Sequence, residues 1–396
     1  MHNVDAAGLG IGDAHPPRIM GVLNVSRESP YDPSVFADPG EAAAYVEDMI
    51  DAGADIVDVG LESANKRLDV LSAEEERERL DTAIETIESV DGDAVFSIET
   101  RYSAVADDAL SRGFDMVNDV CGFADPEMPV VCEKHDAAVV KMASPPNLDR
   151  PGAIEETDWT ERCDANWAAE ADYVDQVYEA LKQGGFTEKT IIDPAFGGWS
   201  EAQTREDDRE TFRRLREFRG LARPMLVSIN RKNFLRELTG RSTEEALPVS
   251  LAATAMAVER GAHVIRTHDV AETLDAAIVG EEFARKRVRD PERGIEELDV
   301  TRVAEAERHF DRVDAAASNP DEAVTRVFEL TGLDDRRADE IAALASDRGV
   351  QFLNGTRSHL LVGTPAALRG LATAARDGKL ADRLVDRLEY VAREAE

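Results

Sequence analysis

The feature that most constrains this chain is an alternation repeated eight times between Ile19 and Val288. Short apolar runs lie at Ile19–Val25, Ile56–Gly60, Ala94–Ile98, Met116–Asp119, Ala137–Lys141, Thr190–Asp193, Met225–Ser228 and His263–Thr267. Runs such as "DIVDVG" and "TIIDPA" are nearly continuous in apolar residues, which is the pattern of parallel strands buried on both faces. Helical patterns follow at Gly40–Gly53, Ala73–Ser89, Tyr102–Arg112, Cys163–Gln183, Asp207–Phe218, Phe234–Gly261 and Val270–Val288, and a short connection joins the fourth and fifth runs. Parallel neighbours need a crossover, and a helix is the usual one. Eight such units in about 270 residues predict an α/β fold of the (β/α)8 TIM barrel type. A doubly wound open sheet is the structural alternative. The polar stretch Ala143–Thr160, with Pro145, Pro146 and Pro151, reads as a mobile loop.

From Arg289 the organisation changes. "LDVTRVAEAERHFDRVDAA" reads as a helix. "NPDEAVTRVFELTG" reads as a second, with Asn319 or Asp321 as its cap and Gly332 at its stop. "DDRRADEIAALASDRG" reads as a third. "VQFLNG" and "HLLVG" read as short strands, with helices from Thr364 onward. The expected domains are a barrel over 1–288 and a small C-terminal α/β extension over 289–396, which carries no motif tied to chemistry.

Charge excludes several classes. There are 46 Lys+Arg against 81 Asp+Glu, a net charge of −35, yet 43% of residues are hydrophobic. A wholly disordered acidic tail lacks such apolar content. A nonspecific nucleic-acid binder needs a basic footprint, which this global field opposes. Only eight of the basic residues are Lys. An acidic, Lys-poor chain resembles halophilic proteins from a high-salt cytoplasm, where salt screens the self-repulsion. Three Cys with no CxxC pattern give neither a disulfide framework nor a Cys-rich zinc site. No apolar stretch approaches the ~20 residues of a membrane span, and residues 1–18 do not read as a signal peptide. The expectation is a cytoplasmic protein with no membrane or nucleic-acid partner.

Polar residues at the C-terminal ends of barrel strands line the site in this fold. The strand ends supply Asn24, Glu62, Glu99, Asn118, Asp119, Lys141, Asp193, Asn230, Lys232, Arg266 and His268. Taken singly, an Asp or Asn in such a place reads as a turn or cap residue. Their recurrence after successive strands points to one face. Arg266, His268 and Lys232 together can gather a phosphate or another anionic group. A structural ion-pair network is the other reading. Asn24 offers an oxygen to a hard cation. Asp193, Glu99 and Asn118 can read a heterocycle that presents adjacent N–H groups.

With these residues in place, the chain resembles the dihydropteroate synthase family of pterin-binding barrels over about residues 18–283. "IMGVLNVSRESPYD" is similar to the opening signature, whose Asn, here Asn24, helps hold Mg2+ and diphosphate. "GADIVDVGLES" resembles the second signature and closes on Glu62 and Ser63. "FSIETRYSAVADDALSRGFDMVNDVCG" places Glu99 and Asn118 at pterin-contacting positions. "IIDPAFGG" places Asp193 at the principal pterin-binding carboxylate. "SINRKNF" places Lys232 at the pterin-contacting Lys, with Arg231 beside it, and "IRTHDV" places Arg266 and His268 at the anion-binding pair.

The resemblance implies a homodimeric, Mg2+-dependent transferase. It would condense 6-hydroxymethyl-dihydropterin diphosphate with 4-aminobenzoate or a related aryl amine, and release diphosphate. Arg266, His268 and Lys232 would be catalytic. Glu99, Asn118, Asp193, Lys232, Arg231, Glu62, Ser63, Lys66 and Arg67 would bind substrate, and Asn24 would serve the metal. Loops Ser26–Phe36 and Leu61–Leu71 would act as lids. The departures from the family pattern are specific. Ser26-Arg27-Glu28-Ser29-Pro30 replaces Thr-Pro-Asp-Ser-Phe, and Leu61-Glu62-Ser63-Ala64-Asn65-Lys66-Arg67 replaces Gly-Glu-Ser-Thr-Arg-Pro-Gly. Lys66 or Arg67 would stand in for the missing Arg. The pterin-contacting Asp is Glu99, one methylene longer, and a His frequent at the end of strand five is Lys141. Another pterin-dependent transferase, such as a methyl-group transferase, and a non-catalytic pterin-binding protein remain as alternatives.

Overall fold

The structure, a computed structural model, describes residues 2–25, 34–36, 38–62, 70–148, 151–152, 154–197, 199–200, 202–315, 319–378 and 380–395. The chain divides into two compact units, 1–286 and 287–396. Among the described residues, no helix is long and apolar enough to cross a membrane.

The first unit opens with a hairpin of β1 (Val4–Ala6) and β2 (Leu9–Ile11). The chain then runs β3 (Arg18–Asn24), α1 (Pro39–Asp51), β4 (Ile56–Gly60), α2 (Ala73–Glu88), β5 (Val95–Thr100), α3 (Ser103–Ser111), β6 (Met116–Asp119), α4 (Met128–Lys134) and β7 (Ala138–Met142). It continues through α5 (Trp159–Arg162), α6 (Ala165–Glu170), α7 (Tyr173–Lys182), β8 (Thr190–Asp193), α8 (Arg205–Arg213), β9 (Leu226–Val227), α9 (Asn233–Thr239), α10 (Leu247–Glu259), β10 (Val264–Thr267) and α11 (Val270–Glu282). The eight strands β3–β10 form one sheet in the order β8-β7-β6-β5-β4-β3-β10-β9, with every pairing parallel. A single parallel bridge, Ile192–Met225, joins β8 to β9 and closes the ring. The expected (β/α)8 barrel is present.

Side chains alternate across each strand, and the alternation divides the core in two. Ile19, Leu23, Val57, Val59, Ile98, Val117, Val139, Ile192, Val227 and Ile265 face the helices. Met20, Ile56, Val95, Met116, Ala138, Val140, Ile191, Leu226 and Val264 fill the barrel interior, where Val4, Ala6 and Ile11 of the hairpin pack against them. The hairpin therefore plugs the N-terminal end of the barrel, and each fully buried Val or Ile contributes about 1.5–3 kcal/mol. A polar latch holds it. Asp13, just beyond β2, accepts from Arg219 Nη2 at 2.7 Å and from His263 Nε2 at 3.0 Å, while His263 Nδ1 accepts from the Met225 N–H at 3.1 Å.

Several helices depart from the sequence expectation. The single helix expected over Cys163–Gln183 is broken into α6 and α7, with α5 before them. Asp158, Asp164 and Asp172 each accept from backbone N–H groups at a new helix start, so side-chain capping overrides the continuous pattern. The helical segments expected over Phe234–Gly261 do form, as α9 and α10, with Gly240 ending the first. In the expected Ala143–Thr160 loop, Ile154–Glu156 is a 3-10 turn and Ile154 and Trp159 are buried. Helix α4 stands where a plain connection was expected. Of the two expected lids, residues 26–33 and 63–69 lie outside the described residues.

The second unit contains a small hairpin, β11 (Arg289–Asp290) with β12 (Ile295–Glu296), followed by α12 (Val303–Arg312). Strands β13 (Arg326–Thr331), β14 (Gln351–Leu353) and β15 (Ser358–Gly363) form an antiparallel sheet in the order β13-β15-β14. Helices α13 (Asp335–Ala345), α14 (Pro365–Asp377) and α15 (Asp382–Glu394) bury Ile341, Leu368, Leu371 and Leu388 with Leu330 and Leu361 of the sheet. The helix expected over "NPDEAVTRVFELTG" is not formed. Asn319 caps only the 3-10 turn Pro320–Glu322. All six residues of β13 pair with β15, and their burial alternates with the period of a strand.

Candidate active site

The parity that sends Met20, Ile56, Val95 and Met116 inward sends Asn24, Asp58, Gly60, Ser97, Glu99 and Asn118 inward as well, two or four residues further along. Asn24, Gly60, Glu99 and Asn118 are register partners on four successive strands, β3 to β6. Asp193 follows Ile191 on β8, and Arg266 follows Val264 on β10. Polar groups thus replace the apolar layer at the C-terminal end of one barrel.

Asp58 is the hub of this layer, and the sequence reading did not single it out. It is fully buried and accepts from Ser97 Oγ at 2.8 Å, Asn118 Nδ2 at 2.9 Å and Arg266 Nε at 2.8 Å. Arg266 Nη2 donates to Glu99 Oε2 at 2.6 Å, and Asn118 Nδ2 lies 3.5 Å from the same oxygen. Arg266 is therefore fixed by two carboxylates before any ligand arrives. A hydrogen bond donated by a guanidinium to a carboxylate is stronger than one between neutral partners. Burial raises the Glu99 carboxyl to about 7 despite the opposing Arg266 guanidinium.

Asp193 accepts the Ala195 N–H at 2.8 Å, which leaves its second oxygen for another donor. Burial pushes this carboxyl up to about 6, against the lowering effects of that N–H and of Lys232. Lys232 lies along the backbone of Gly197. A Cβ on Gly197 would sit 2.4 Å from Lys232 Nζ, and the φ of +107° at Gly197 independently requires glycine. Burial and the neighbouring Arg266 lower the Lys232 ammonium, while Asp193, Asp208 and Glu99 oppose that shift. The Trp199 ring centroid is 6.0 Å from its Nζ. Buried Asp208 supports this loop by accepting from the Gly197 N–H at 3.2 Å and from Gln203 Nε2 at 2.8 Å.

His268 follows Arg266 at the end of β10. Burial, with Arg266 beside it, pushes its imidazole down to about 3. It is a neutral ring at pH 7 and can offer a hydrogen bond without adding charge. Asn24 Nδ2 donates to Ser34 Oγ at 2.9 Å. That bond orients the amide and leaves Oδ1 as the atom presented to the site.

Other expected substrate residues are engaged elsewhere. Arg231 has φ +54° and its guanidinium holds Asp269 through Nε and Nη2 at 2.8 Å each, with Nη1 donating to the Thr243 and Glu244 carbonyls at 2.8 Å. Asn230 Nδ2 also reaches Asp269, at 2.9 Å. This clamp ties the Lys232 loop to the His268 loop. Glu62 pairs with buried Arg101 and accepts the Leu71 N–H at 3.0 Å, while Arg101 donates to the Leu148 carbonyl at 2.7 Å. Glu62 thus braces two loops. Ser63, Lys66 and Arg67 lie outside the described residues.

Asp119 and Lys141 sit at strand ends but have the outward parity. Asp119 caps the Cys121 and Phe123 N–H groups. Lys141 is fully buried, donates to the Gln183 and Gly185 carbonyls, and lies 4.7 Å from the Phe123 ring centroid. Neither belongs to the inward layer.

Comparison with known proteins agrees with this geometry. The family model described as pterin binding enzyme matches residues 20–268. A probable bifunctional folylpolyglutamate synthase/dihydropteroate synthase of Haloferax volcanii is 36% identical over 266 residues, which are 66% of this chain and 30% of that protein. The chain likewise covers 31% of a relative of the same description in Halobacterium salinarum, so it spans about a third of the length of these first curated relatives. The dihydropteroate synthase of Clostridium beijerinckii is 30% identical over 274 residues, 68% of this chain and 94% of that protein. Among solved structures, the dihydropteroate synthase of Thermus thermophilus in complex with 4-aminobenzoate aligns with a TM-score of 0.56 and 27% identity, over 71% of this chain and 100% of that one. The match begins in the first barrel strand and ends on His268, and so encloses the whole inward polar layer: the chain belongs to the pterin-binding enzyme family, with dihydropteroate synthases among its relatives.

Proposed function

We propose that the barrel is a dihydropteroate synthase-type transferase. It would join the exocyclic methylene of 6-hydroxymethyl-dihydropterin diphosphate to the amine of 4-aminobenzoate, or a related aryl amine, and release diphosphate. The observation that carries this reading is the juxtaposition of a carboxylate–amide set, Asp193 and Asn118, with a cationic and neutral donor set, Arg266, Lys232 and His268, at one barrel mouth. The first set matches the adjacent N–H donors of a pterin edge. The second matches an anionic leaving group.

The difficult event is charge separation as the methylene C–O bond breaks. Donors that strengthen their bonds to the departing oxygen as charge develops lower that barrier. Arg266 is held in place by Asp58 and Glu99, so little reorganisation is needed. His268 adds a donor without a second positive charge. Lys232, lying flat on Gly197, holds the pterin beside Asp193. Electron release from a ring so held supports the methylene carbon as it loses its leaving group. The aryl amine is already nucleophilic, so no strong base is needed. Its surplus proton leaves after the C–N bond forms.

Mg2+ belongs to this reading, and the Asn24 donor set fits it. Oδ1 is a hard oxygen kept in place by the Nδ2–Ser34 bond. A bound Mg2+ supplies charge neutralisation at the diphosphate oxygens. Exposed Met256 on α10, Ile278 and Val279 on α11, and Phe283 just beyond it supply apolar surface that we assign to a second copy in a homodimer. The charge of −35 with eight Lys supports work in a salt-rich cytoplasm.

The test is diphosphate release in molar KCl with dihydropterin diphosphate, Mg2+ and 4-aminobenzoate. Stoichiometric product supports the reading. Tight pterin binding with no turnover on any aryl amine would favour a different pterin-dependent transferase or a binding protein.

A further inference from the structure

Gly60 occupies the position between Asn24 and Glu99 in the inward register of β3, β4 and β5. Its φ is not in the left-handed region, so its backbone does not demand glycine, and glycine within a strand weakens it. What glycine provides here is space. A Cβ at this position would lie 2.9 Å from Asn24 Oδ1 and 3.8 Å from Glu99 Oε1. Two oxygens from strands on either side therefore face one gap over Gly60.

Neither of these oxygens accepts a hydrogen bond from a described residue. Asn24 uses Nδ2 on Ser34. Glu99 uses Oε2 on Arg266 and Asn118. The second methylene of Glu99, worth about 1.5 Å of reach, lets one carboxylate span Arg266 on one side and the Gly60 gap on the other. A carboxylate oxygen turned toward a diphosphate site repels the ligand. The same carboxylate becomes useful when a divalent cation lies between them. Mg2+ characteristically takes one or two protein oxygens, keeps several waters and binds substrate phosphates, which matches two protein oxygens at an open barrel mouth.

We propose that the gap over Gly60 seats the divalent cation, with Glu99 Oε1 joining Asn24 Oδ1 as a protein ligand. This rests on the diphosphate chemistry proposed above. Glu99 then couples the cation seat to the anion-binding Arg266, so that metal and diphosphate bind as one unit.

The experiment is Mn2+ binding to the full chain in molar KCl, followed by electron paramagnetic resonance, with and without inorganic diphosphate. Metal-free diphosphate binding is measured in parallel by calorimetry. Wild type is expected to take up one Mn2+ per chain, more tightly with diphosphate present. Glu99→Gln should weaken Mn2+ at least 10-fold while metal-free diphosphate affinity holds or rises, because Arg266 loses a competing charge. Glu99→Asp should also weaken Mn2+ about 10-fold, through lost reach, and Gly60→Ala should do so with an unchanged melting temperature. Mn2+ affinity within twofold of wild type in Glu99→Gln overturns the proposal, as does an equal loss of Mn2+ and metal-free diphosphate binding, which marks a structural role. Failure of the wild type to bind diphosphate at all defeats the functional reading itself, and the cation seat with it.

Discussion

Replacing Asp58 tests whether the inward polar layer is organised around this residue. Asp58→Ala removes three accepted bonds at once, from Ser97, Asn118 and Arg266. Arg266 keeps Glu99, so it is left half-paired rather than bare. Breaking a buried ion pair by deleting one partner costs about 3–5 kcal/mol; with Glu99 still on Arg266 the lower end applies, and the lost Asn118 bond adds about 1 kcal/mol. A total of about 4 kcal/mol is expected. Asp58→Asn behaves differently. Its Oδ1 keeps Asn118 and Arg266, and its new N–H2 faces Ser97 Oγ, which can turn to accept. That variant should lose less than about 2 kcal/mol. Trp159, Trp167 and Trp199 are the only tryptophans and all lie in the first unit, so fluorescence-monitored melting reports that unit alone. For its 286 residues, an unfolding entropy near 2.1 cal/mol/K per residue converts 4 kcal/mol into a shift of about 5–8 °C. A shift under about 2 °C for Asp58→Ala, or equal shifts for both variants, would refute the hub.

Further outcomes follow from the same contacts. Asp13→Ala leaves Arg219 and His263 without the carboxylate that latches the hairpin plug, so about 3 kcal/mol of stability is lost and hydrogen exchange rises in residues 4–11; unchanged exchange there would contradict the latch. Burial raises the Glu76 carboxyl from 4.5 to about 7, with Thr100 Oγ1 donating to it. Because the folded value is raised, its contribution to stability is full below pH ~4.5 and is lost as pH rises through ~7. Glu76→Gln should therefore be about 2–3 kcal/mol more stable than wild type at pH 8 and no more stable at pH 4, as read by paired melts. Asp193→Asn keeps the shape but loses the charge-assisted acceptor, so affinity for a dihydropterin should fall roughly 10- to 100-fold, with a melting temperature near that of wild type in calorimetry.

The barrel was legible because eight apolar runs mark eight buried strands, and all of them form within a residue or two of their expected limits. The parity of polar residues was harder to read. A strand end shifted by one residue exchanges the inward and outward faces, which is why Asp119 and Lys141 stood beside Asn118 and Asp193 in one set. Asp58 escaped notice because it sits in mid-strand within an apolar run, where no turn or strand end draws attention to it. Arg231 neighbours Lys232, yet its left-handed backbone turns the guanidinium to Asp269. In the second unit, β13 is built from residues that also suit a helix, and pairing with β15 decides between the two. Such tertiary selection leaves little trace in local sequence.

The proposed reaction joins a pterin methylene to an aryl amine as diphosphate leaves. Its most direct measurement is product analysis of wild type and an Arg266→Ala/His268→Ala double variant in molar KCl with dihydropterin diphosphate, Mg2+ and 4-aminobenzoate. Wild type is expected to give a pterin–aminobenzoate adduct and diphosphate in equal amounts. The variant is expected to lose both while still binding a dihydropterin that lacks the diphosphate. Diphosphate release without adduct, or adduct formation undiminished in the variant, would contradict the proposed reaction.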